Sequence, residues 1–115
     1  MEKTHSNYNL MFTDINIKSN VDKGVVLINS SDEKYIDLMD FLIQLQHKEN
    51  VYDYIIPEIN EVLQNEKKSN DVCSGTVCAT IFEEVTMLEW KNRVTSIPTK
   101  DFKSILMEYA EFYWK

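Results

Sequence analysis

The apolar residues of this chain change period part-way along, and that change decides what it can fold into. Over residues 35–62 they recur every three or four positions, as in a helix that buries one face. From Thr76 onward they alternate, as in strands that bury one side. A chain of 115 residues is the size of one domain. The expected architecture is therefore a single α+β domain, a small antiparallel sheet packed with about three to four helices.

Ahead of the helical region, Tyr8 to Thr13 (YNLMFT) and Gly24 to Ile28 (GVVLI) read as two strands that pair antiparallel, with the polar DINIKSNVDK between them. Residues 1–7 are expected to be a flexible N-terminus. Ser30 followed by Glu33 matches a capping box, so a helix is expected to start there. Its inward residues would be Tyr35, Leu38, Met39, Leu42 and Leu45, widened by Ile36, Phe41 and Ile43. Glu33, Asp37, Asp40 and Gln44 fall on an outer, acidic stripe.

ENVYDYIIPEINEVLQNEKK repeats the helical pattern, with Tyr52, Ile55, Ile59 and Val62 inward and Asp53, Glu58 and Glu61 outward. Pro57 interrupts it. A proline inside a helix removes one hydrogen bond and crowds the preceding turn, so the segment is a kinked helix or a short turn followed by a new helix with Pro57 at its first position. The second arrangement is preferred, and NEKKSND then reads as a polar loop.

Thr76 to Glu83 (TVCATIFE) places Val77, Ala79 and Ile81 on one face and Thr76, Cys78, Thr80 and Phe82 on the other. Val85 to Trp90 and Arg93 to Ile97 are further strands joined by a tight turn at Lys91-Asn92, giving a meander. The last segment reads as a helix with Thr99 as N-cap and Asp101 in its first turn. Phe102, Ile105, Leu106, Tyr109 and Tyr113 form its inward face, and Glu111 and Lys115 are spaced to pair.

Motifs for chemistry are sparse. Cys73 and Cys78 lack a second Cys or Cys/His pair to complete a zinc site, and one strand running through both would point them to opposite faces, so they read as structural thiols unless Gly75 bends the chain into a disulfide. His5 lies in the N-terminal stretch. His47 reads as a residue at a helix C-terminus, favoured by the dipole. With glycine only at positions 24 and 75 there is no phosphate-cradling loop. Glu83 and Glu84 would point oppositely from a strand and cannot converge on one atom. No enzyme activity, cofactor or metal is expected.

Charge is more informative. The net charge of −7 arises between Asp32 and Glu66, where nine acids face two bases, while the rest of the chain is balanced. Such a block favours encounter with basic partners and repels polyanions. One arginine, Arg93, and no basic cluster beyond Lys67-Lys68 argue against nucleic-acid binding. A solvated acidic face that keeps the protein soluble would carry the same charges. Two tryptophans and six tyrosines are more than a core this size must bury, and Tyr and Trp are over-used at interface hot spots. Charge and aromatic placement together nominate Asp37, Asp40, Asp53, Glu58, Glu61 and Trp90 as partner-binding residues.

No apolar run approaches the roughly 18 to 20 residues of a membrane span, and MEKTHSNYNLMF lacks the apolar core of a signal peptide. A cytoplasmic location without membrane contact is expected.

The stretches GVVLINSSDEKYIDLMDFL, TVCATIFEEVTMLEW and IPTKDFKSILMEYAEFYWK resemble small cytoplasmic immunity proteins of bacterial polymorphic-toxin and contact-dependent growth inhibition systems. The likeness is one of patterning along Gly24 to Lys115, and no binding residue carries over from it. It implies a non-catalytic inhibitor that binds one cognate toxin domain, commonly a basic nuclease, and covers its active site or substrate surface. Two other classes stay open: a regulatory or adaptor domain, homodimeric through Trp90 and Trp114, and a small enzyme whose site is assembled only in space.

Overall fold

A computed structural model of the chain describes residues 4–17, 20–45 and 47–114. The fold is α+β. A hairpin of β1 (Leu10–Ile17) and β2 (Asn20–Leu27) precedes α1 (Ile36–Ile43), a π-helical turn (Asn50–Ile55) and α2 (Ile56–Leu63). Next come β3 (Ser69–Ser74), β4 (Val77–Phe82), β5 (Val85–Trp90) and β6 (Arg93–Pro98), and α3 (Thr99–Tyr113) closes the chain. The expected single sheet is two: the hairpin and a four-stranded antiparallel meander in the order β3-β4-β5-β6.

The meander has one dry face. Registered rows run Val72–Ala79–Leu88–Thr95 and Asn70–Ile81–Thr86–Ile97 across the four strands, and Ser74 pairs Val77 at the end of β3 and β4. Val72, Val77, Ala79, Ile81, Leu88 and Ile97 in those rows are buried. They lie beneath the three helices, and Phe41 of α1 meets Phe102 of α3 edge to face at 5.4 Å. Alternation thus assigned the inward residues of β4 correctly. It missed β3, whose polar Ser69-Asn70-Asp71 was read as part of a loop, because an edge strand shows little alternation in its outer half.

Two helix starts differ from expectation. Ser30 and Glu33 form no capping box, and α1 begins at Ile36 without a side-chain cap. The polar side chains there bond local backbone instead: Asn29 Oδ1 accepts from the Ser31 N–H and hydroxyl, and Asp32 Oδ1 accepts from the Lys34 N–H. Asn9 Nδ2 then donates to the Asn29 and Asp32 carbonyls, fixing residues 28–35 as turns. At α3 the N-cap is Pro98, and Thr99 is the first helical residue. Its buried hydroxyl donates to the Phe82 carbonyl at 2.6 Å and accepts from Thr86 Oγ1 at 2.8 Å, tying the helix to the β4–β5 turn.

Pro57 sits in the first turn of α2, as preferred, but what precedes it is a π-helical turn. Proline cannot donate to the Asp53 carbonyl, and its ring crowds that position. The wider winding ahead of it, with the Ile56 N–H reaching back to Val51 O, accommodates this. One consequence is a shift of phase: Val51 is buried where Tyr52 was expected.

Cys73 and Cys78 form a disulfide, correcting the reading as free thiols. The chain reverses at Gly75-Thr76, so the cysteines are opposite each other in register on neighbouring strands. Gly75 is left-handed at φ +56°, and a Cβ there would meet Gln44 Oε1 at 1.8 Å. The left-handed turn therefore favours glycine, and any Cβ would also displace the Gln44 side-chain amide that accepts from the Thr76 N–H.

From Thr4 onward the N-terminal stretch, expected to be flexible over residues 1–7, makes contacts with α3; residues 1–3 lie outside the described residues. A 3₁₀ turn over Thr4–Tyr8 places the N–H groups of Thr4 and His5, each at 3.0 Å, and His5 Nδ1, at 2.8 Å, on the Glu108 carboxylate of α3. The His5 ring stacks on Phe12, and the Tyr8 hydroxyl donates to Asp101. From the hairpin, Lys23 Nζ donates to the Phe112 carbonyl at 3.1 Å. The expected Glu111–Lys115 pair cannot be placed, since Lys115 lies outside the described residues. No described helix is long and apolar enough to cross a membrane.

Burial pushes the Glu108 carboxyl up, but the His5 and Thr4 donors outweigh it and bring the group below its ordinary value. A carboxyl lowered on folding contributes stability that is present above its unfolded value and lost as pH falls through the folded one. Glu108→Gln should lower stability by about 1 kcal/mol near neutral pH. Thermal melts of both forms should converge as pH falls below the folded-state value of Glu108; a gap independent of pH would refute the clamp.

Candidate functional site

The six nominated residues fall into two groups. Asp37, Asp40 and Trp90 gather where α1 crosses the β5–β6 turn. Asp53, Glu58 and Glu61 follow the π-helical turn and α2.

In the first group the acidic stripe is not free. Asp37 is 1% exposed, and Arg93 Nη2 donates to its Oδ1 at 2.8 Å. The guanidinium lies 4.6 Å from the centre of the Trp90 ring, and Lys91 Nζ lies 4.5 Å from it. Lys91 adopts a left-handed backbone, φ 54°, which suits the tight turn expected at Lys91-Asn92. Asp37 is thus already paired and covered, a correction to its place on an outward stripe. The amphipathic pattern could not show this, because the pairing arginine is 56 residues away in sequence.

Asp40, one turn along, is half-buried. Burial and then the Asp37 charge push its carboxyl up, and Arg93 opposes them. This group reads as an internal electrostatic knot with one half-exposed arginine.

The second group lies nearer to solvent. Glu58 and Glu61 are half-buried; Asn70 Nδ2 donates to the Glu58 carbonyl and to Glu61 Oε1, and Lys67 Nζ lies 3.6 Å from that oxygen. Asp53 is exposed, and the tyrosines on either side of it are each 41% exposed. A π-helical turn makes this possible: with Val51 and Ile55 both fully buried, the three residues between them all point outward. Tyr8 and Tyr109 are buried, and Tyr35 and Tyr113 pack against the core. Tyr52 and Tyr54 stand apart in being left to water.

Residues bordering this turn extend the surface. A hollow of about 250 Å³ lies between Gln44 and Leu45, the turn residues Asn50 and Tyr54, and Cys73–Gly75. His47 lines it and is exposed past the end of α1, rather than sitting in the last turn of that helix as expected. A second hollow joins His47, Lys48 and Glu49 to Trp114, whose indole packs edge-on against Tyr113 at 4.8 Å. Tyr52 and Tyr54 were not nominated from the sequence, and Trp114 only as a self-association contact in the adaptor reading. The usable signal was Pro57, which disturbs the helical phase just ahead of it.

Among the described residues, no three or more His, Cys, Asp or Glu side chains are grouped to hold a metal ion. His47 and Cys73 share the first hollow, but the sulfur is bonded to Cys78 and is no free nucleophile.

Removing Arg93 would strand the Asp37 carboxylate. Arg93→Met should destabilise by about 2–4 kcal/mol, less than a fully buried pair because the guanidinium is half in water. Adding Asp37→Asn should recover most of that loss in a denaturant double-mutant cycle; additive losses would show that the two do not interact. Asp40 works the other way. A carboxyl raised on folding is destabilising once ionised, so Asp40→Asn should raise the melting temperature at about pH 7 and leave it unchanged at about pH 3.

No protein-family model matches the chain, no curated protein matches its sequence, and no solved structure matches its fold.

Proposed function

We propose that this chain is a non-catalytic binding protein that neutralises a basic partner, in the manner of the immunity proteins its sequence resembles. The partner is a cognate toxin domain, a nuclease by that resemblance, whose active site or substrate surface is covered. The reading places both proteins in the cytoplasm.

The observation that carries it is the exposed Tyr52-Asp53-Tyr54 triplet on the π-helical turn. An acidic surface alone is equally a solubility device. Tyrosines left in water beside a core that absorbs Tyr8 and Tyr109 are not explained by solubility, and they have the composition of a hot spot. Exposed Glu49 and half-buried Glu58 flank the triplet and supply the negative rim that steers a cationic partner. Asp53 and Glu58 therefore remain in the proposed interface, with Glu61 at its edge; Asp37, held by Arg93, belongs to the separate group at the β5–β6 turn and supports the fold.

A second reading, a homodimeric adaptor, draws on the outer face of the meander. There Phe82 is 39% and Val94 53% exposed. Trp90, the earlier candidate for that contact, is flanked by Lys91 and Arg93 instead.

The test is capture of the product of the adjacent upstream gene by the tagged chain at low and high salt, with cell protection as the biological readout. A one-to-one, salt-sensitive complex is expected. Tyr52→Ala with Tyr54→Ala should weaken it by about 2–4 kcal/mol. Asp53→Lys should mainly slow association. Neither change should move the melting temperature appreciably. Unchanged affinity in the tyrosine double variant together with an unchanged association rate in Asp53→Lys would refute the surface, and absence of both complex and protection would refute the function. Self-association by light scattering with no partner captured would favour the adaptor.

A further inference from the structure

We propose that Cys73–Cys78 is a reversible thiol–disulfide site whose redox state reshapes the hollow beside Tyr54. The inference concerns regulation and stands whether or not the partner is a toxin.

Three observations argue that the bond is not a staple for the fold. Both cysteines are exposed on the outer face of the meander, away from the helices that cover the core. The bond joins residues only five apart, so it removes little freedom from the unfolded chain. The turn it spans is already fixed from the other side. Gly75 supplies the left-handed residue, the Thr76 N–H donates to Gln44 Oε1 at 2.8 Å, and the Ser74 hydroxyl donates to the Phe41 carbonyl. Gln44 Nε2 in turn donates to the Asp40 carbonyl at 3.0 Å, tying the hairpin to the end of α1. A disulfide that is exposed and redundant for the fold is open to exchange.

Its position gives that exchange a consequence. Cys73, Ser74 and Gly75 form one wall of the hollow whose opposite side is Asn50, Tyr54 and Ile55. With the bond intact, the outer side of this wall is cross-linked to β4; when it is open, the ladder, the Gln44 contacts and the Ser74–Phe41 hydrogen bond still hold it, and the cross-link on its outer side is gone.

The step balances with a dithiol reductant of the thioredoxin or dithiothreitol class. Its thiolate attacks one Sγ, and the other sulfur leaves as a thiolate and takes up a proton. The reductant's second thiol, as thiolate, then attacks its own sulfur in the mixed disulfide and releases the remaining cysteine. Two electrons pass to the protein, the reductant becomes a disulfide, and both cysteines end as thiols.

The experiment equilibrates the intact chain under native conditions with graded ratios of reduced to oxidised dithiothreitol, quenches with acid and counts free thiols with a maleimide. The expected result is a transition from no labelled thiols to two, reversible on restoring the oxidised form. Circular dichroism should be unchanged, and the melting temperature should fall by less than about 10 °C. Amide NMR shifts should move at Asn50, Tyr54 and Ile55 as well as at residues 73–78. The Cys73→Ser, Cys78→Ser double variant should fold and reproduce the reduced-state shifts. Labelling that requires denaturant, unfolding that coincides with reduction, or a double variant that does not fold would each establish a structural staple and overturn the proposal. Shifts confined to the hairpin would overturn the link to the hollow.

Discussion

Burial of the inner face of the meander is the interaction on which the other elements depend. The rows through Ala79 and Ile81 cannot face water, and among the described residues α1, α2 and α3 pack across that side. The edge-to-face contact of Phe41 with Phe102 fills the space between the first and last helices. Thr86 and Thr99 sit within this apolar layer with each hydroxyl satisfied, so the start of α3 is positioned by hydrogen bonds that have no water to compete with them.

Given that layer, the π-helical turn is a fitting device between α1 and α2. Residues 50–55 must bring both Val51 and Ile55 to the core while the chain approaches a proline at 57. A regular helix through Pro57 would clash, and the wider turn avoids it. Its outward side is then three residues broad, which is how two tyrosines and an aspartate come to share one exposed ridge. The candidate surface is thus a by-product of core packing in its geometry, and only the choice of Tyr, Asp and Tyr for those positions carries information about binding.

Much of the fold was readable from periodicity. The β4 alternation, the tight turn at Lys91-Asn92 and the inward face of α3 from Phe102 to Tyr109 all follow local rules, and they appear where those rules put them. What failed was whatever depended on distant partners. Asp37 has the helical spacing of an outward residue, yet Arg93 holds it inside. Thr99 has the profile of an N-cap, yet its hydroxyl is taken by Thr86 and Phe82. Cys73 and Cys78 point apart on any single strand and meet only because a two-residue turn separates them. The candidate site was legible to the extent of its charge and of Asp53, and its tyrosines were hidden by one residue of phase.

The division of the acidic block also bears on what electrostatics can do here. Nine acids between Asp32 and Glu66 suggest one negative surface, but Asp37 is neutralised by Arg93, and Glu61 has Lys67 nearby. Exposed Glu49 and Asp53 and half-buried Glu58 have no such pairing among the described contacts, and they sit along one short run of chain. Charges within about 8–10 Å of one another at physiological salt act together on an approaching ion, while more distant ones are screened. Arg93 and Lys67 are already counted in the net charge of −7, so these pairings change where the negative charge lies and not its total, and exposed Glu49 and Asp53 lie beside the tyrosines of the same turn. On the proposed reading, long-range steering and short-range aromatic contact would act at one place. That coincidence is what a binding surface requires, and a uniformly acidic, purely solubilising coat would have no reason to produce it.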